Sequence, residues 1–172
     1  MRIFIGLVTF LLLLSACSSK TEDPLLERFE KNKTGYRLLQ KTEKAQLYEH
    51  NVTKAFLTAT YLYTSNDALS KAKKDEQFIV GIYLEEEPSN HLGKSYLLTL
   101  DGQKPKSIRP LPNESTYLKG IPFVTGWNSY YLVTFPHTPS QSFTLTFESK
   151  KYGKKALSFS KVAKYVESLK AF

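Results

Sequence analysis

From Tyr36 onward, apolar and polar residues alternate with a period close to two, the mark of half-buried strands. In the run Lys54 to Tyr63, Ala55, Leu57, Ala59, Tyr61 and Tyr63 fall on one side. Phe56, Thr58, Thr60 and Leu62 fall on the other. Gln46 to Glu49 precedes this run, and His50-Asn51-Val52-Thr53 between them reads as a hairpin turn. Phe78 to Leu84 is apolar on both faces, which predicts a buried strand stopped by Glu85-Glu86-Glu87-Pro88. Ser95 to Leu100 predicts another, with Asp101-Gly102 as a hairpin signal and Lys106 to Pro110 as the return. Pro110 and Pro112 predict an extended path outside the sheet as far as Thr116. Tyr117 to Thr125 predicts a strand, with Pro122 marking it as an edge. Gly126-Trp127-Asn128 is a bend. Tyr130 to Phe135, Ser142 to Glu148 and Ala156 to Ser160 complete the series.

Helical spacing is confined to short stretches. Leu25, Leu26 and Phe29 share a face, Asp23 can cap and Pro24 can begin a helix, so a helix is expected over 24–32, ending near Thr34-Gly35. The segment Arg37 to Gln46 fits strand or helix equally. Ala68 to Asp75 predicts a short exposed helix or ordered loop. Val162, Tyr165, Val166 and Leu169 predict a closing amphipathic helix. Many short strands between Gly and Pro turns predict a mainly β fold, an antiparallel β-sandwich with short N-terminal and C-terminal helices. The Cys, Trp, Cys signature is absent, so "Ig-like" would describe architecture alone.

The first residues follow another logic. Arg2 precedes an apolar run, Ile3 to Leu14, that is shorter than the roughly 20 residues a membrane span needs. This is the layout of an export signal. It ends in Leu14-Ser15-Ala16-Cys17, which resembles the bacterial lipobox. The resemblance implies cleavage before Cys17 and a diacylglycerol thioether on its sulfur. A thiol is the soft nucleophile that such a linkage needs, and Cys17 is the single cysteine of the chain. Two or three acyl chains anchor stably where one is marginal. Ser18 and Ser19 lack the Asp that, in the enterobacterial pattern, retains a lipoprotein in the inner membrane. The expectation is therefore a lipid-anchored protein of the cell envelope, in the outer membrane rather than the inner. Residues 1–16 are read as signal, 17–24 as lipidated cysteine and tether, and 25–172 as one β-rich domain.

Composition narrows the partners. The chain has 24 Lys and Arg against 16 Asp and Glu, a net +8, and nearly all the positive charge is Lys. Lys is a hydrated point charge, whereas Arg suits bidentate phosphate recognition. The basic residues are spread along the chain rather than clustered, so nucleic acid is not expected as a partner. A solvated surface with some attraction to anionic head groups or polysaccharide is the expected reading.

No constellation for catalysis emerges. His50, His91 and His137 sit in predicted turns without metal-ligand spacing, so neither a metal nor another cofactor is expected. No phosphate-cradling Gly loop and no nucleophile elbow appears. Glu85, Glu86 and Glu87 are consecutive, so alternate carboxylates diverge on a strand instead of facing each other across a cleft. Tyrosines and one Trp are abundant, and on a sheet face they either cover the core edge or stack on sugars and proteins. Trp127, Tyr130 and Tyr131, beside Gly126, are the expected surface contacts. Glu30-Lys31-Asn32-Lys33-Thr34 and Glu49-His50-Asn51-Val52-Thr53 look like the extended bacterial N-glycosylation acceptor, with an acid two residues before Asn. Asn113-Glu114-Ser115 has Leu111 in place of that acid. The expectation from sequence is a non-enzymatic envelope protein that binds or scaffolds a protein partner. The alternative is a carbohydrate-binding or carbohydrate-active domain, with a glycan as ligand.

Overall fold

The computed structural model describes residues 33–63, 74–85, 92–93 and 95–161. The expected helices over 24–32 and 162–172, the lipobox with Cys17, and residues 68–73 lie outside the described residues. Among the described residues the chain forms one α-helix, α1 (Lys33–Leu39), and eight strands. The strands are β1 (Thr42–Glu49), β2 (Val52–Tyr61), β3 (Glu76–Leu84), β4 (Tyr96–Leu100), β5 (Ser107–Leu111), β6 (Ser129–Phe135), β7 (Ser142–Ser149) and β8 (Gly153–Ser160).

They build two antiparallel sheets. One has five strands in the order β1-β2-β3-β6-β5, the other three in the order β4-β7-β8. The alternating residues of both meet in one apolar core. Ala55, Leu57, Ala59, Tyr61, Phe78, Val80 and Ile82 from the larger sheet face Leu98, Leu100, Phe143, Leu145, Phe147, Leu157 and Phe159 from the smaller. This is the sandwich that the period-two pattern predicts. Rings tie the layers together: Tyr61 stacks on Phe78 at 5.0 Å and meets Phe143 edge-on at 5.1 Å, while Phe78 meets Phe159 edge-on at 5.1 Å.

Four expectations change. Thr34-Gly35 does not end a helix but lies inside α1. The helix stops later, where the Thr42 hydroxyl donates to the Leu38 carbonyl at 2.7 Å and frees the chain to enter β1. Asp101-Gly102 does make a tight turn, with both residues in the left-handed region and Leu100 bridged to Gln103. Its two arms then part, β4 to the smaller sheet and β5 to the larger. The turn thus joins the two layers rather than one hairpin. Pro110 lies in β5, which is tolerated because β5 is an edge strand. The expected strand over Tyr117 to Thr125 is instead an irregular crossing segment that contains a 3-10 turn, Thr116–Leu118. Its apolar residues are used for packing against a sheet face rather than for pairing.

Candidate functional site

Among the described residues, the outer face of the larger sheet carries exposed aromatic side chains. Strand register places Lys44, Thr58, Gly81, Tyr130 and Leu111 in one row across its five strands. Gly81 is the enabling residue. A Cβ there would sit 2.7 Å from Tyr130 Cε1 and 2.8 Å from Thr58 Oγ1, so the Tyr130 ring lies across the bare backbone. The Tyr130 hydroxyl accepts from the Thr125 N–H at 2.6 Å and lies 3.1 Å from the Thr125 carbonyl, to which it donates. The ring and its two bonds hold segment 112–128 over the sheet. Leu118 and Ile121 of that segment pack on Ile79, Leu111, Tyr130 and Leu132, forming a second, small apolar cluster.

The segment reaches as far as β1. Phe123, in the left-handed region at φ +61°, has the Lys44 ammonium 3.2 Å from its ring centroid. A cation over a ring face at this separation is attracted by the ring quadrupole. Beyond the crossing segment, register continues with Gln46, Phe56 and Tyr83. Tyr48 follows on β1, its hydroxyl donating to Gln46 Oε1. Trp127 precedes β6, whose first residue, Ser129, pairs with Ile82 next to Tyr83. Trp127 is 75% exposed, and Tyr48, Tyr83, Phe123 and Val124 are 39–46% exposed. A contiguous exposed apolar patch marks an interaction surface, whereas scattered single residues do not.

Of the expected contacts, Trp127 is on the surface and the other two are not. Tyr130 is buried beneath the crossing segment, and Tyr131 points the other way, into the core between the sheets. Consecutive strand residues project to opposite faces, so both were hidden once each face was covered. Tyr83, Tyr48 and Phe123 had no sequence signal that set them apart from the other aromatics. The Gly81 signal was legible: a Gly within an apolar strand marks a close approach.

The other concentration of chemistry is at the opposite end of β3. Glu76 is buried, with Oε2 accepting from the Tyr61 hydroxyl. Oε1 accepts from the Thr138 N–H at 3.0 Å and lies 2.9 Å from Lys161 Nζ and 3.3 Å from His137 Nδ1. Lys161 Nζ also donates to the Thr138 carbonyl, and His137 Nδ1 is 2.9 Å from the Lys74 carbonyl. Both carboxylate oxygens are thus occupied, and the cluster joins β3, the β6–β7 connection and the end of β8. It is a staple rather than an open site. Glu85, by contrast, is exposed and paired with Lys54 at 2.9 Å; Glu86, Glu87 and His91 lie outside the described residues. His50 stands in the β1–β2 turn. Among the described residues no group of three His, Cys, Asp or Glu side chains converges, and no helix is long and apolar enough to cross a membrane.

Comparison of the chain with protein-family models, with curated proteins and with solved structures finds no match.

Proposed function

We propose that this is a lipid-anchored protein of the bacterial envelope, held by Cys17, that binds another envelope protein through the aromatic outer face of its larger sheet. The role is non-enzymatic. The observation that carries the reading is the exposed set Trp127, Tyr83, Tyr48 and Phe123, with Tyr83 and Tyr48 on strands and Phe123 and Trp127 on the segment that Tyr130 holds at Thr125. Aromatic side chains give large contact area with little rotamer entropy to lose, which is why they dominate protein contacts. The lipobox resemblance supports the anchor, and the serines after Cys17 support the outer membrane over the inner. The one described carboxylate of the Glu85 to Glu87 run is neutralised by Lys54, which disfavours a carbohydrate-active site there.

The test is a photo-crosslinking amino acid placed at position 127 in the full-length chain, expressed in its own host. One protein crosslinked from position 127, not from the far end at position 154, and lost with Cys17→Ala, is the expected result. If the lipidated, folded chain yields no protein from position 127 or position 83, the scaffold reading fails. A polysaccharide recovered at those positions would favour the carbohydrate-binding alternative.

A further inference from the structure

We infer that Asn51 is an N-glycan acceptor and that the turn around it is shaped to seat the first sugar on Tyr48. Asn51 is exposed at the tip of a two-residue turn between β1 and β2. His50 and Asn51 have φ of +49° and +65°, the left-handed values that a type I′ turn requires. Glu49, two residues before Asn51, and Thr53, two after it, complete the acidic acceptor pattern. The structure adds a feature that the pattern does not contain. A register shift between Leu47 and Tyr48 skips Lys54 and sets Tyr48 directly opposite Thr53. Directly paired residues of an antiparallel ladder project to one face. The pairing puts Tyr48 and Thr53 on one face of the ladder, with Tyr48 three residues before Asn51. Tyr48 is 46% exposed, and its hydroxyl donates to Gln46 Oε1 on the same strand. The C–H face of a pyranose stacks on such a ring.

The chain supplies its own contrast. Asn113 is exposed too, but Leu111 stands where the acid would be and is buried. The Ser115 hydroxyl accepts from the Tyr117 N–H at 3.3 Å and caps the 3-10 turn, so it is engaged in holding that turn. The missing acid and the committed hydroxyl separate Asn113 from Asn51.

The donor is a polyprenyl-diphosphate-linked oligosaccharide. The Asn51 Nδ2 forms a bond to the anomeric carbon while the bond from that carbon to the diphosphate oxygen breaks. The diphosphate leaves with the electron pair, and the amide loses one proton to a base of the transferase. Nothing is oxidised or reduced. The inference rests on the export reading for where the reaction occurs, not for whether the site is competent.

The test therefore begins outside the cell. Purified full-length protein, folded and unfolded, is incubated with an acid-requiring bacterial oligosaccharyltransferase and a polyprenyl-diphosphate heptasaccharide. Intact mass and peptide mapping should find one heptasaccharide on the Asn51 peptide and none on Asn113. Asn51→Gln should abolish that modification and Glu49→Gln should cut it to a trace. The glycan should raise Tm, and the rise should vanish in Tyr48→Ala while modification persists. A bare Asn51 in both folded and unfolded chains, alongside a fully converted control peptide, overturns the site. An equal Tm rise in Tyr48→Ala overturns the sugar platform. Modification in the tube but not in cells that carry the pathway, with residues 1–16 still attached, supports the site and overturns export.

Discussion

The two ends of β3 use opposite chemistry. At its start, Glu76 is taken out of water together with Lys161, Glu76 with partners from three parts of the chain and Lys161 with partners from two. At its finish, Tyr83 is left partly in water, as are Tyr48 on β1 and Trp127 before β6. Burying charge costs desolvation and gains little net stability, but it fixes one arrangement. Leaving rings exposed gains nothing for the isolated fold. The contrast separates a place where the molecule is held together from a place where it is available to something else.

Removing Glu76 should have the largest effect on the fold. Glu76→Ala leaves the Lys161 ammonium, whose side chain is 8% exposed, without its carboxylate. Breaking a buried pair from one side costs about 3–5 kcal/mol. Urea unfolding should register that loss, and a loss below about 1 kcal/mol, the range of a surface pair, would show that the cluster is no staple. Replacing both partners, Glu76→Leu with Lys161→Met, should recover most of the loss, since an apolar substitute for a buried pair is often neutral.

Gly81→Ala tests the clamp beneath the exposed face. The new Cβ would need the space of Tyr130 Cε1 and Thr58 Oγ1. Overpacking of this kind costs about 1–3 kcal/mol. Displacement of the Tyr130 ring should also release Thr125, so amide exchange in 119–127 should quicken more than exchange in β7. Uniform quickening would mean that segment 112–128 is held by something other than Tyr130.

How far these features could be read in the sequence depends on how local they are. The period-two runs gave most of the strands and the sandwich, because alternation is written residue by residue. Gly81 was not singled out within Phe78 to Leu84, although a Gly inside an apolar strand is the local mark of a close approach. The path of segment 112–128 was not legible: Leu118 and Ile121 look like strand residues, and their packing partners lie on β3, β5 and β6. The Glu76 staple joins residues 62 and 85 positions apart, which no short window can see. Tyr130 and Tyr131 looked equally exposed because the cover on each face comes from distant parts of the chain.

Tyr131 sits between the two ends and follows neither rule. It faces the core, and its hydroxyl has no hydrogen-bond partner among the described residues. Loss of hydration raises its phenol above the ordinary value of about 10. In the window above that value the native state keeps the proton while the unfolded chain releases it. Stability is therefore whole below pH 10 and falls as pH rises through the raised native value. Tyr131→Phe deletes the orphaned group and should stabilise by about 1 kcal/mol at pH 7, the lower end of the cost of an unmet buried polar atom. It should also flatten the alkaline decline. An unchanged alkaline slope would assign the decline to other groups.

The smallest expected effect on folding is the most informative about the exposed end. Trp127→Ala removes the largest side chain on that face, yet at 75% exposure it contributes little to the core. Surface substitutions of this kind stay within about 0.5 kcal/mol. Thermal unfolding of the purified chain should therefore be unchanged, while crosslinking from position 83 to the partner should fall. If Trp127→Ala destabilised the fold as much as Gly81→Ala, the ring would belong to the clamp, and the two ends of β3 would differ in degree rather than in kind. If stability and crosslinking were both untouched, Tyr83 and Tyr48 would carry the contact without it, and the binding face would shift toward the β1–β2 turn.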